Sequence, residues 1–336
     1  MMPKLTPGWL ERRAALVAAA FLPLTAMTYP QAPAAYAAPE AVAFTNTSRD
    51  SAELARVTEH VVVISIDGLR PDAIERFGAK TLQRLMREGS HSLEATTILP
   101  SRTLPSHTSM LTGTEPDVHG VTWNSEQMED HGHVATPTIF AAAKAAGYHT
   151  AAFFSKSKFE HLAVPGTLDH VQAPDNLLGK WTADQTVDDV EEYLEGHVPN
   201  LLFVHIGEPD FVGHVFGWMS LPYGLAVREA DEEVGQLLEA VDEAFGKGNY
   251  TVILTADHGG HGRDHGSADA RDTTIPWIAW GRGVAAGVTL EAGIRTMDTA
   301  ATALWLLGLE GGTGTVGRSV TTAFEPTGGV QLADVQ

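Results

Sequence analysis

The sequence predicts an α/β domain, doubly wound around a largely parallel sheet with helices on both faces. Three observations lead there. Five β-branched, apolar runs lack the polar alternation of a half-exposed strand, which marks strands buried on both faces. Amphipathic helical patterns with legible ends lie between them. The 336 residues carry 43% hydrophobic side chains, enough for one sizeable core and lean for two.

The runs are Val61 to Ile66, Tyr148 to Phe154, Leu201 to Ile206, Tyr250 to Thr255 and Ile275 to Trp280. Thr136-Pro137, then Ile139, Phe140, Ala143 and Gly147, reads as an N-cap, a first-turn proline, an apolar stripe and a closing glycine. Thr182 with Gln185 reads as a capping box ahead of Val187, Val190 and Leu194. A longer amphipathic helix runs from Ala230 to Phe245 and stops at Gly246. The acids Asp188, Asp189, Glu191 and Glu192 are expected on a solvated face. Gly311 to Gly328 reads as a connection before a C-terminal strand.

Net charge is −20, with the acids spread along the chain, which argues against a stable nucleic-acid partner or an anionic membrane surface. The absence of cysteine removes disulfides, thiolate zinc ligands and thiol catalysis. Any metal site must use imidazole and carboxylate. Arg12 and Arg13 precede an apolar run from Ala14 to Leu24, and Ala35-Tyr36-Ala37 supplies a small-residue cleavage site. Residues 1–37 are therefore expected to be a signal peptide, 38–59 a flexible leader, and 60–336 the catalytic domain of an exported protein without a membrane span. The arginine pair is compatible with twin-arginine export, although its flanks match poorly.

Strand ends in such a sheet are where ligands gather. Ile66 runs into Asp67, Ile206 into Glu208-Pro209-Asp210 and His214, and Thr255 into Asp257-His258. A lone strand-end aspartate is usually a helix cap; three acidic ends on one rigid sheet, two of them with a histidine, describe a metal site. The second element is Leu99-Pro-Ser-Arg-Thr103-Leu-Pro-Ser-His-Thr-Ser-Met-Leu-Thr-Gly113. Pro105 places Thr103 at or just before a helix N-terminus, where a bound anion is favoured. Thr103, Ser101 and Ser106 all compete as the reactive hydroxyl, since Thr103 reads equally as an N-cap.

These segments resemble the type I phosphodiesterase/nucleotide pyrophosphatase family of the alkaline phosphatase superfamily. The likeness rests on Val63-Ile-Ser-Ile-Asp67-Gly-Leu-Arg-Pro-Asp, Pro100-Ser-Arg-Thr103-Leu-Pro-Ser-His, Pro116-Asp-Val-His-Gly120, Glu208-Pro-Asp210-Phe-Val-Gly-His214 and Ala256-Asp257-His258-Gly-Gly-His-Gly-Arg-Asp-His265-Gly. Asp298-Thr-Ala-Ala-Thr-Ala-Leu-Trp-Leu-Leu-Gly308 resembles the family's closing helix, so the likeness covers nearly all of the expected mature chain. It implies an alkaline phosphatase-like fold and two Zn²⁺. Asp67, Thr103, Asp257 and His258 would hold the ion that activates the nucleophile; Asp210, His214 and His265 would hold the second. Thr103 would form a phospho-threonine intermediate. Asn124 and the backbone N–H of Leu104 would bind a non-bridging phosphate oxygen. His261 competes with His265, which completes the His-Gly pattern.

The resemblance thus implies hydrolysis of phosphodiester or pyrophosphate bonds in a small phosphate ester. A sulfatase is excluded, because its nucleophile position holds Ile98. A phosphomonoesterase is the alternative, with Arg102 as the available cation. A non-catalytic metal-binding relative is remote, because every expected ligand position is occupied. Leu104 and His205 stand where nucleotide-cleaving members of the family place aromatic rings that stack a base, so little preference for nucleotides is expected.

Overall fold

The computed structural model describes residues 56–174, 182–312 and 314–325. The proposed signal peptide, and the leader up to residue 55, lie outside them. Eight strands form one sheet: β1 (His60–Ile66), β2 (Ser90–Thr96), β3 (Thr150–Phe153), β4 (His170–Gln172), β5 (Leu201–Ile206), β6 (Tyr250–Thr255), β7 (Thr274–Gly281) and β8 (Val288–Thr289). Their order is β4-β3-β5-β1-β6-β7-β2-β8. β4, β3, β5, β1 and β6 run parallel, while β7 pairs antiparallel with both β6 and β2. The five apolar runs are all strands, and β1, at the centre of the parallel part, is buried from Val61 onward. Helices cover both faces, as expected of a doubly wound sheet.

Several local expectations shift. The helix expected from Thr136 begins at Ile139, because Thr138 caps it by accepting from the N–H of Ala141 at 3.4 Å. Thr182 is the N-cap of the helix Ala183–Leu194, but its hydroxyl has no partner, and the N–H of Ala183 goes to Glu208 Oε2 at 3.3 Å instead. The capping box does not form. The long amphipathic helix starts earlier than its apolar stripe suggests, at Leu221, where Ser220 caps it. Residues 56–59 are not a free leader: the N–H groups of Val57 and Thr58 donate to the carbonyl of Leu306 at 3.0 and 3.2 Å, tying the chain to the closing helix Asp298–Leu306. After Gly308 the described residues hold a short turn at Thr321–Ala323 and one bridge, Val284 to Phe324, in place of the expected strand. No helix among the described residues is long and apolar enough to cross a membrane.

The long helix carries a buried acid with a thermodynamic consequence. Glu233 is 5% exposed, and burial, then Glu229 and Asp184, push its carboxyl up to about 7. A raised acid binds its proton more tightly in the folded state, so its contribution is complete below the unfolded value and is lost as pH rises toward 7. Glu233→Gln should therefore raise stability at pH 8 by about 1–2 kcal/mol and change it little at pH 4 to 5. Urea denaturation at the two pH values checks this; equal gains at both would show that the carboxylate is not the cause.

Candidate active site

The site assembles where the parallel strands end. Beyond β1, the N–H of Asp67 still donates to the Ile206 carbonyl at 2.9 Å, so Asp67 is held by the sheet ladder itself. Gly68 then turns the chain at φ +72°, and a Cβ there would lie 3.0 Å from the Asp210 backbone. Only glycine lets the β1 end approach the Asp210 segment so closely. Its N–H donates to Asp257 Oδ1 at 3.1 Å, and its carbonyl accepts from Trp218 Nε1 and the Tyr223 hydroxyl, both at 2.9 Å. One glycine thus ties three strand ends together.

Asp210 and His214 sit on the helix Glu208–Phe216, four residues apart and on one side of it. Asp257 and His258 follow β6 directly. His265 arrives through the turn closed by the His261–Asp264 bridge. The three histidines are held alike: Nδ1 of His214, His258 and His265 hydrogen-bonds to the carbonyl of Arg263, Gly259 and Ser101, at 3.0, 2.8 and 2.8 Å. That orientation leaves each Nε2 facing inward with its lone pair free.

The inward nitrogens meet carboxylate oxygens. His258 Nε2 lies 3.4 Å from Asp67 Oδ1, 3.2 Å from Asp257 Oδ2 and 3.3 Å from Thr103 Oγ1. His214 and His265 Nε2 lie 3.4 and 3.6 Å from Asp210 Oδ1. Asp210 Oδ1 is also 3.9 Å from His258 Nε2, so the two clusters adjoin. His261, the competitor of His265, pairs instead with Asp272 at 2.6 Å.

Asp67 Oδ1, Asp210 Oδ1 and Asp257 Oδ2 are buried without a hydrogen-bond partner, and all three point into these clusters. Burial and then Asp67 raise the Asp257 carboxyl well above its ordinary range. Burial, reinforced by His265, depresses the His258 imidazole to about 3, and burial lowers His265 as well. The three buried carboxylates face His258 and His265, which burial keeps neutral, and the exposed His214, which Asp210 raises against burial, while the Lys156 ammonium bridges Asp67 and Asp210. Such a donor set fits divalent cations, which would take up the three orphaned oxygens. Asp67, Asp257, His258 and Thr103 could hold one ion, and Asp210, His214 and His265 the other.

Thr103 is the first residue of the helix Thr103–Thr112, with Arg102 as N-cap, so its hydroxyl is released from capping and is 1% exposed beside His258. The competing serines are engaged elsewhere. Ser101 Oγ donates to the Ser267 carbonyl at 3.0 Å, and Ser106 Oγ lies between Thr97 Oγ1 at 2.7 Å and the Asp257 carbonyl at 2.8 Å. The N–H of Leu104 donates to Asn124 Oδ1 at 2.9 Å, which brings the two expected phosphate-oxygen contacts together. The Leu104 side chain itself is buried.

His205 does not face a substrate. It is fully buried, with Nε2 3.0 Å from Asp67 Oδ2 and Nδ1 2.7 Å from Ser155 Oγ, so it holds the Asp67 carboxylate from behind. Arg102, the cation expected for a monoesterase, is exposed at the helix cap.

Three residues at the site were given no role from the sequence: His107, which closes one of the motifs, and Lys156 and Lys158, which lie outside them. His107, buried, bonds the Ser65 hydroxyl and the Thr103 carbonyl, both at 2.8 Å, and lies 3.4 Å from Asp257. Lys156 Nζ donates to Asp67 Oδ2 and Asp210 Oδ2, each at 2.6 Å, leaving the Oδ1 atoms for the clusters. Burial works against its charge, but Asp210 and Asp67 hold the ammonium above its ordinary range. Lys158 Nζ donates to Asn124 Oδ1 at 3.2 Å. The signal available was position: both lysines follow the end of β3, a fourth strand end that converges on the same place.

The chain is similar in sequence and fold to known proteins. Residues 61–271 match the family described as type I phosphodiesterase / nucleotide pyrophosphatase. The chain is 25% identical over 237 residues to GPI ethanolamine phosphate transferase 1 of Gibberella zeae, covering 64% of this chain and 23% of that protein. It is 27% identical over 220 residues to bis(5'-adenosyl)-triphosphatase enpp4 of Xenopus laevis, covering 60% of this chain and 47% of that one. The chain thus spans about a quarter to a half of the length of these relatives. The crystal structure of the alkaline phosphatase PafA superposes with a TM-score of 0.68 at 14% identity, covering 81% of this chain and 99% of that one, which shows a shared fold. With the family match spanning most of the sheet and its strand-end acids, this chain belongs to the type I phosphodiesterase/nucleotide pyrophosphatase family.

Proposed function

We propose that the protein is an exported, zinc-dependent phosphohydrolase that cleaves phosphodiester or pyrophosphate bonds through a phospho-Thr103 intermediate. One observation carries this reading: three histidines, each fixed through Nδ1 to a backbone carbonyl, turn Nε2 toward three unpartnered carboxylate oxygens, with the Thr103 hydroxyl at the same point. A set of carboxylate and imidazole donors without cysteine suits zinc. Two Zn²⁺ would supply the positive charge that favours the Thr103 alkoxide and steadies the departing oxygen.

The chain's own residues do the rest. The helix Thr103–Thr112 aims its free N–H groups at the incoming anion. Thr103 Oγ1 attacks phosphorus, while the Leu104 N–H and the Asn124 side chain, now turned to the substrate, hold a non-bridging oxygen. His205 keeps Asp67 in place from behind, and the Gly68 N–H does the same for Asp257. Water then displaces Thr103 from phosphorus, and two inversions leave the configuration retained. The signal-peptide pattern of residues 1–37 is what supports export.

Substrate choice departs from the Xenopus relative, whose name specifies an adenosyl substrate. Here the two positions expected to stack a base hold a buried Leu104 and a buried His205. Losing base stacking, worth about 1–3 kcal/mol per base, removes tens-fold of preference for nucleotides. The zinc-loaded enzyme should hydrolyse bis(p-nitrophenyl) phosphate and should show similar kcat/KM for a nucleotide ester and its base-free analogue. A preference for the nucleotide of about a hundredfold or more would contradict this reading of the site.

A further inference from the structure

Resting on the reading of Asp210, His214 and His265 as the holders of a second ion, we propose that Asp272 is a positioning residue for that ion: its buried carboxylate clamps both ends of the loop that carries His265 and orients His214.

The loop leaves β6 and returns to β7, and the backbone closes its neck. The Gly259 N–H donates to the Asp272 carbonyl at 2.8 Å and the Gly260 N–H to the Arg271 carbonyl at 2.7 Å. A Cβ at Gly259 would stand 2.1 Å from that Arg271 oxygen, so the two arms meet this closely only with glycine there. Between the arms lie the His261–Asp264 bridge and then His265.

Inside the loop, one side chain draws its two halves together. Asp272 is fully buried; Oδ1 accepts from His261 Nδ1 at 2.6 Å, and Oδ2 accepts from the Ser267 N–H at 3.0 Å and from Ser267 Oγ at 2.7 Å. These donors satisfy a carboxylate whose burial would otherwise be costly. His261 and Ser267 stand on either side of His265 in the chain, so the imidazole is mounted between two fixed points.

The clamp reaches the ion's ligands through backbone carbonyls. The Ser267 carbonyl accepts from Ser101 Oγ at 3.0 Å, and the Ser101 carbonyl in turn takes the His265 Nδ1–H at 2.8 Å. The Arg263 carbonyl, between His261 and His265, takes the His214 Nδ1–H at 3.0 Å. Each histidine of this ion is thus aimed by a carbonyl that the clamped loop either contains or holds. Trp218 presses the loop onto the helix Glu208–Phe216: its N–H donates to the Gly262 carbonyl at 2.8 Å, and its ring fills the space beside Gly213 and Gly260. Asp272 itself lies outside both donor clusters, so it acts only through these groups.

The other ion's ligands have separate supports. Asp67 is held by the sheet ladder and His205, Asp257 by the Gly68 N–H, and His258 by the Gly259 carbonyl at the neck that the backbone closes. Releasing the Asp272 clamp therefore falls on the second ion.

The test titrates metal-free protein with zinc by calorimetry in the wild type, Asp272→Asn, Ser267→Ala, His214→Ala and the Asp272→Asn/His214→Ala double variant. Asp272→Asn should weaken one of the two ions by about 10–100-fold and leave the other within about threefold. His214→Ala identifies which ion that is: it should remove the second ion, and adding Asp272→Asn to it should leave the surviving one unchanged. Excess zinc should restore the kcat of Asp272→Asn, which a damaged fold would not allow. Ser267→Ala keeps the N–H bond to Asp272 and should weaken the same ion by about fivefold, the worth of one hydrogen bond. It decides the matter alone if Asp272→Asn does not fold. Equal weakening of both ions, or no weakening of either, would overturn the positioning role. A wild type that binds fewer than two zinc ions would instead overturn the two-ion reading, so the two failures are told apart.

Discussion

Thr103→Ala should abolish turnover, by roughly 10⁴-fold or more, while the protein keeps its fold. The variant removes the attacking oxygen and one of the four groups gathered around His258 Nε2. The cost to the fold is confined to the His258 Nε2, which loses its hydrogen bond to the Thr103 hydroxyl, since Thr103 makes no capping bond. Ser101→Ala and Ser106→Ala provide the contrast. Their hydroxyls are spent on the Ser267 and Asp257 carbonyls, so each should cost about 1 kcal/mol of stability and little activity. Steady-state kinetics alongside thermal melts decide the matter: a dead serine variant combined with an active Thr103→Ala would move the nucleophile.

Exhaustive chelation should likewise remove all activity, and zinc should restore it with two ions bound per chain. The electrostatics of the site set the size of the effect. Asp67, Asp210 and Asp257 are buried, each with one oxygen unpartnered, and the facing His258 and His265 imidazoles are held neutral by burial. Cations that bind only the folded state also stabilise it, by about 3 kcal/mol at a hundred times the dissociation constant, so the thermal transition should fall on chelation. Asp210→Asn should reproduce much of the loss, since Asp210 Oδ1 lies within 4 Å of His214, His265 and His258 alike. Metal analysis of active protein checks the stoichiometry. Full turnover after chelation, or a single ion per active chain, would rule out the two-zinc mechanism.

The parts of the site that were legible in the sequence share a property: each follows covalently from a strand or helix end. Asp67, Asp257 and His258 abut apolar runs, Asp210 and His214 are spaced by one helical turn, and Thr103 stands two residues before a first-turn proline. Chain connectivity delivers such residues to the sheet's carboxyl edge whatever else the fold does. The antiparallel course of β7 was not legible, because Ile275 to Trp280 is as apolar as its parallel neighbours and direction leaves no mark on composition. β2, with its serines, a histidine and a glutamate, does not look like a strand of this sheet and becomes one, half-buried, through pairing with β7.

The sequence by itself determined the doubly wound sheet and the acids and imidazoles at its strand ends, because periodicity and adjacency encode these locally; Thr103 stood apart from Ser101 and Ser106 only through the family resemblance. Only the tertiary structure decided what His205 and the two lysines do. β5 is buried on both faces, so nothing in its pattern says which face His205 takes; its register opposite Ser65 turns it toward Asp67 and away from substrate. Lys156 and Lys158 sit in a Ser-Lys-Ser-Lys stretch that reads as an ordinary solvated turn. Their ammonium groups matter because residues 89 and 34 positions away, Asp67 and Asn124, are folded against them. Contacts across such separations depend on how the whole chain closes, and no local pattern records them.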